Sequence, residues 1–178
     1  MKNFIVLTIL TISLFLINSG VVFANAVWDN PTSIKTYIEP NDKKELMKQA
    51  FSKWNTATKG KIAFSYVQNP QDAQIVVNFV KDASKSSKME HAAGVTYHRS
   101  IGPKMVSARI EIANNAPNGA AFRKDAIYRV MVHEIGHAIG MFDHSEDNMS
   151  IMYAIKGSRY QDITPADLKF LAKLYGWN

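Results

Sequence analysis

The chain contains no cysteine. That absence excludes a disulfide framework, a thiolate metal ligand, a cysteine nucleophile and a thiol-linked lipid anchor. An apolar run long enough to cross a bilayer is also missing, since a span needs about twenty residues. The longest run, from Phe4 to Ile17, follows the positive Lys2 and precedes Ala24-Asn25-Ala26, an A-x-A cleavage signal. Residues 1–26 therefore read as a secretory signal peptide, and residues 27–178 as the mature, secreted chain with no membrane attachment. A strong charge of one sign is lacking as well. The formal excess is +6, spread along the chain, which fits a solvated surface. There is no nucleic-acid-binding motif, no internal repeat and no sign of a second domain, so a single-domain monomer is expected.

What is present reads as alternating strands and helices. Ile34, Thr36 and Ile38 alternate with Lys35, Tyr37 and Glu39, predicting a first strand that Pro40-Asn41 ends. Asp42 with Glu45 three residues on resembles a capping box, and Leu46, Met47, Ala50, Phe51 and Trp54 then recur at helical spacing. A second strand is expected through Ile62, Phe64 and Tyr66. Ile75–Val80 is a nearly continuous apolar run, as in a central strand covered on both faces. Gly94 to His98 is a short strand candidate, and Val106, Ala108, Ile110 and Ile112 alternate as another. Thr164-Pro165-Ala166-Asp167 supplies a cap, a proline at the first helical position and a carboxylate in the first turn of a last helix. Leu168, Leu171, Leu174 and Tyr175 form its apolar stripe, and Gly176 stops it.

The chemistry concentrates in His133-Glu134-Ile135-Gly136-His137-Ala138-Ile139-Gly140-Met141-Phe142-Asp143-His144. Its H-E-x-x-H lies in a helix expected from about Phe122 or Asp125 to Ile139. Residues four apart share a helix face, so His133 and His137 can present two imidazoles to one ion. Two neutral imidazoles and a third ligand suit one catalytic Zn2+ that keeps a position open for water. Glu134 follows the first ligand, where its carboxylate can act as general base on that water. Gly140 can adopt the left-handed conformation that ends a helix and turns the chain back towards the ion. Gly136 inside the helix costs about 1 kcal/mol relative to alanine, which the close approach of another backbone would explain.

These residues, with Ser150-Ile151-Met152-Tyr153 downstream, resemble the metzincin metalloproteases, Met152 taking the place of their Met-turn. Ala50-Phe51-x-x-Trp54, Asp72-Ala73-Gln74-Ile75 and the closing Leu174-Tyr175-Gly176 narrow the resemblance to the matrixin catalytic domain. It implies an α+β, metzincin-like fold: a twisted, mostly parallel sheet of about five strands with an active-site helix and a C-terminal helix. It also implies that Gly94 to His98 is an antiparallel edge strand along which a peptide or protein substrate lies.

Three departures from the family pattern bear on the site. The family's third ligand falls ten residues after the first histidine, which here is Asp143, with His144 one further on. An aspartate there is similar to the snapalysin-type secreted proteases, whereas the spacing from His144 to Met152-Tyr153 matches the matrixins. His144 is favoured as third ligand, with Asp143 as the alternative. Matrixins are often kept latent by a pro-segment cysteine, for which this chain has neither the cysteine nor the expected room. Their structural zinc needs an H-x-D pattern that is absent, leaving only His91 and His98 as candidates for a second metal. The resemblance allows calcium, for which the sequence offers no ligand pattern.

The expected function is a secreted zinc-dependent endopeptidase with Glu134 as general base and Tyr153 as candidate oxyanion helper. The alternatives are a catalytically idle zinc-containing binding or inhibitor protein on the same fold, and a cell-wall peptide hydrolase.

Overall fold

Alternating burial organises the sheet. β1 (Ile34–Ile38) buries Ile34, Thr36 and Ile38, leaves Lys35 exposed and Tyr37 half-buried, and lies beside the three-residue β2 (Phe64–Tyr66). β3 (Ile75–Val80) buries Ile75, Val77 and Phe79, while Val76, Asn78 and Val80 on its other face are only half-covered. β4 (Gly94–Ile101) and the ten-residue β5 (Lys104–Ala113) complete five strands in the order β2-β1-β3-β5-β4. β1 runs parallel to β2 and β3, and β3 parallel to β5; β4 alone is antiparallel and, among the described residues, forms an open edge. The computed structural model describes residues 26–83, 92–116, 118–154 and 161–177. The segment expected from the sequence to be a signal peptide, residues 1–26, lies outside these residues except for Ala26, which is 2% exposed and packs in the core.

Among the described residues there are three α-helices. α1 (Lys44–Ala57) buries Met47, Ala50, Phe51 and Trp54. Full burial of a side chain such as Phe51 is worth about 1.5–3 kcal/mol, so this stripe belongs to the core. The expected Asp42–Glu45 capping box is not formed. Instead the Asn41 side chain accepts from the Lys43 N–H at 3.0 Å, and Asp42 pairs outward with the Lys43 ammonium, so the helix begins at Lys44. α3 (Pro165–Tyr175) does carry a complete capping box, between Thr164 and Asp167, and ends at Gly176 in the left-handed conformation.

α2 (Lys124–Ala138) is the element the rest holds in place. Trp54 of α1 donates its indole N–H to the Val132 carbonyl at 2.8 Å. The last carbonyls of a helix lack intrahelical donors, and two distant side chains reach them here. Trp28 donates to the Ala138 carbonyl at 2.9 Å, and the Tyr175 hydroxyl to that of Ile139 at 2.8 Å. Gly140 follows with φ +107°, and a Cβ there would lie 2.7 Å from the Ala26 carbonyl oxygen. Chain reversal and close packing both require glycine at this point. Among the described residues no helix is long and apolar enough to cross a membrane.

Candidate metal centre

His133 and His137 stand one turn apart on α2, with ring centroids 4.7 Å apart. Each donates its Nδ1 proton to a backbone carbonyl at 2.6 Å, His133 to Ile151 and His137 to Met141. Those bonds fix the tautomer, leaving both Nε2 atoms as lone-pair acceptors. The Nε2 atoms nevertheless lie 3.0 Å apart. Two acceptors that close have no hydrogen to share, and the contact is the one that two ligands of a common cation make. Burial pushes the imidazoles down to about 4 for His133 and about 3 for His137, so both are neutral, as a ligand must be.

The turn after Gly140 brings in the third imidazole. His144 sits with its ring centroid 5.1 Å from each of the other two, and one nitrogen from each ring falls within 4.8 Å of the others. Three imidazole nitrogens so placed fit a tetrahedral zinc with one position left open. The Met141 carbonyl that orients His137 belongs to the same turn that delivers His144. Asp143 is exposed and lies outside the three-histidine group.

A second turn supports the site from below. Ile151, whose carbonyl orients His133, is followed by Met152, 1% exposed. Its sulfur occupies the space where a Cβ on Gly136 would be. The close neighbour that Gly136 accommodates is therefore a side chain, not the backbone expected from the sequence. The turn hangs from α3 through a buried chain of bonds. Asp167 accepts from the Ser150 hydroxyl at 2.6 Å, and Ser150 Oγ accepts from the Met152 N–H at 2.9 Å. Tyr153 is half-buried at the end of this turn, its N–H donating to the Ser150 carbonyl at 3.1 Å.

Glu134 is 6% exposed and faces β4. The Thr96 hydroxyl lies 2.6 Å from its Oε2. Burial raises the carboxyl to about 7, against the opposing pull of that hydrogen bond. A cation on the adjacent histidines would pull it down further. Also facing the site from β4, His98 stacks on Phe142 at 3.7 Å with the rings 4° from parallel. It belongs to no metal-ligand group among the described residues, and His91 lies outside them.

Sequence reasoning placed His133, Glu134, His137, His144 and Met152 around one centre. It missed Thr96, Ser150 and Asp167 as supports. Thr96 carried no signal beyond its alternation with Gly94 and His98.

The family model for matrixins matches residues 27–176. The chain belongs to the matrixin family. A probable matrix metalloproteinase, 095L, of Invertebrate iridescent virus 3 is 31% identical over 128 residues, covering 69% of this chain and 35% of that relative. The matrixin chain described here thus spans about a third of the curated relative's length. Among solved structures it is similar to myroilysin, with TM-score 0.56, 14% identity and coverage of 86% of this chain and 83% of that one. It is also similar to high choriolytic enzyme 1, a hatching enzyme zinc-protease from the medaka fish Oryzias latipes. There the TM-score is 0.52 and the identity 15%, over 86% of this chain and 96% of that one. At such identities these two likenesses show the shared fold, a metzincin-like α+β architecture with one antiparallel strand at the edge of a parallel sheet.

Proposed function

We propose that this matrixin is a secreted endopeptidase that binds one zinc ion through His133, His137 and His144 and uses Glu134 as general base. The observation that carries the reading is the convergence of three imidazole nitrogens within 4.8 Å beside a buried carboxylate. A zinc ion held there would supply a Lewis acid that polarises the scissile carbonyl and acidifies the attacking water. Glu134 takes the water's proton and passes it to the leaving amine. β4 offers the unpaired backbone groups of the open edge to an extended peptide, which adds as a further strand. Tyr153, beside the Met152 turn, is assigned as a helper for the developing oxyanion.

Metal analysis tests the site. One zinc per chain is expected, with peptidase activity removed by a chelator and restored by zinc. A chain that binds no zinc, or whose proteolysis survives metal removal, overturns the proposal. Secretion is tested by N-terminal sequencing of exported protein. Cleavage after Ala26 makes Val27 the expected first residue, and a start well inside the domain or exported protein retaining Lys2 contradicts this processing.

A further inference from the structure

Thr96 lies on β4, 38 residues before Glu134 in sequence, on the same strand face as Gly94 and His98. Its hydroxyl is 2.6 Å from Glu134 Oε2 and 2.9 Å from the Glu134 carbonyl oxygen. A hydroxyl has one hydrogen and two lone pairs, so it serves one of these acceptors at a time. Towards the ionised carboxylate it donates to Oε2, a charge-assisted bond. With Oε2 held in this way, Oε1 is left free of the threonine, and the hydroxyl can keep donating to Oε2 when the proton taken from water resides on Oε1.

Gly94 borders the same carboxylate two residues earlier. A Cβ there would lie 2.8 Å from Glu134 Cγ, 3.1 Å from Oε1 and 2.7 Å from Val130 Cγ1, so only glycine leaves room for the side chain. One strand thus confines Glu134 from two positions, and that strand is the open edge of the sheet. We propose that Thr96 is a positioning residue for the general base, holding Oε2 against β4 so that Oε1 is the oxygen that meets the water. The edge on which a peptide is laid is then also the element that aims the base.

The inference rests on Glu134 acting as the base, and the test separates the two claims. Thr96→Val keeps the β-branched shape and removes the hydroxyl, and Thr96→Ser keeps the hydroxyl. With zinc content and thermal midpoint measured for each, Thr96→Val should retain zinc and KM while kcat falls about 10–100-fold, the usual cost of losing such an outer partner. Thr96→Ser should restore most of the rate. In a Glu134→Gln background Thr96→Val should have no further effect, because the two residues act as one unit. The assignment is overturned if Thr96→Val keeps the parental kcat, if Thr96→Ser is as slow as Thr96→Val, or if Thr96→Val slows both backgrounds equally. Full activity in Glu134→Gln alone would overturn the base itself, and the positioning role with it.

Discussion

Glu134 and His144 differ in what their removal should cost, and each substitution isolates one role. Glu134→Gln preserves size and most hydrogen bonding but cannot take a proton. It should keep zinc and fold while losing about 10²–10⁴-fold in turnover, the usual contribution of a positioned base. Peptide hydrolysis within tenfold of the parent would remove Glu134 from that role. His144→Ala should abolish stoichiometric zinc, whereas Asp143→Ala should retain it with reduced activity, since Asp143 lies outside the three-histidine group. Zinc content after dialysis, with circular dichroism to confirm folding, distinguishes them; the opposite pattern makes Asp143 the ligand. At this scale the sequence was legible where function imposes a period. His133 and His137 must be four apart to share a helix face, so the motif announces itself. Thr96 was not legible, because one threonine in an alternating strand says nothing about a partner 38 residues away.

Elements are held by contacts whose removal gives effects of definite sign. On a solvent-facing helix Gly→Ala stabilises by about 1 kcal/mol through helix propensity. In α2, Gly136→Ala would drive a methyl into the Met152 sulfur, with Trp54 only 3.2 Å away on another side. Overpacking of this kind typically costs about 1–3 kcal/mol, so the net change should be destabilising. Thermal denaturation reads the sign directly, and a raised midpoint would show that Met152 moves aside freely. Ser150→Ala removes the donor to the buried Asp167 and the acceptor for the Met152 N–H. A loss of about 1–3 kcal/mol is expected, together with weaker zinc binding, because the same turn carries the Ile151 carbonyl that orients His133. A variant with parental stability and zinc affinity would mean the turn is held by other contacts. Strand and helix positions were readable from alternation, helical spacing and the Thr164–Asp167 cap. The start of α1 was not, because Asn41 and Asp42 are both good caps by residue type, yet the folded chain begins the helix after Lys43 with neither side chain capping it.

Across the whole molecule, the architecture brings together segments that local sequence patterns leave unrelated. Trp28 bonds to Ala138 across 110 residues, and Tyr175 to Ile139 across 36. These ties could not be foreseen, since each satisfies a helix carbonyl exposed only once the chain turns at Gly140. The edge position of β4 was likewise expected only through the resemblance, because alternation alone does not say which strand becomes the edge. One consequence belongs to the molecule as a unit. Unfolded histidine takes its proton near 6.5, whereas folded His133 and His137 resist it down to about 4 and about 3 because burial penalises the imidazolium. The unfolded chain therefore binds more protons between those values, and stability falls as pH drops through that window. Zinc should be released over the same range, since protons compete for the same nitrogens. Zinc retained and unfolding midpoints unchanged down to pH 4 would contradict the assignment of these two imidazoles. The central claim, that the three-histidine site makes this matrixin an endopeptidase, is tested most directly by mass spectrometry of casein and of cell-wall peptides incubated with the zinc-loaded protein and with its Glu134→Gln variant. The account predicts internal cleavage of casein by the parent and none by the variant. A parent that holds one zinc per chain yet leaves casein intact would contradict it, marking a wall-peptide hydrolase if those peptides are cut and an idle zinc-containing binding protein if they are not.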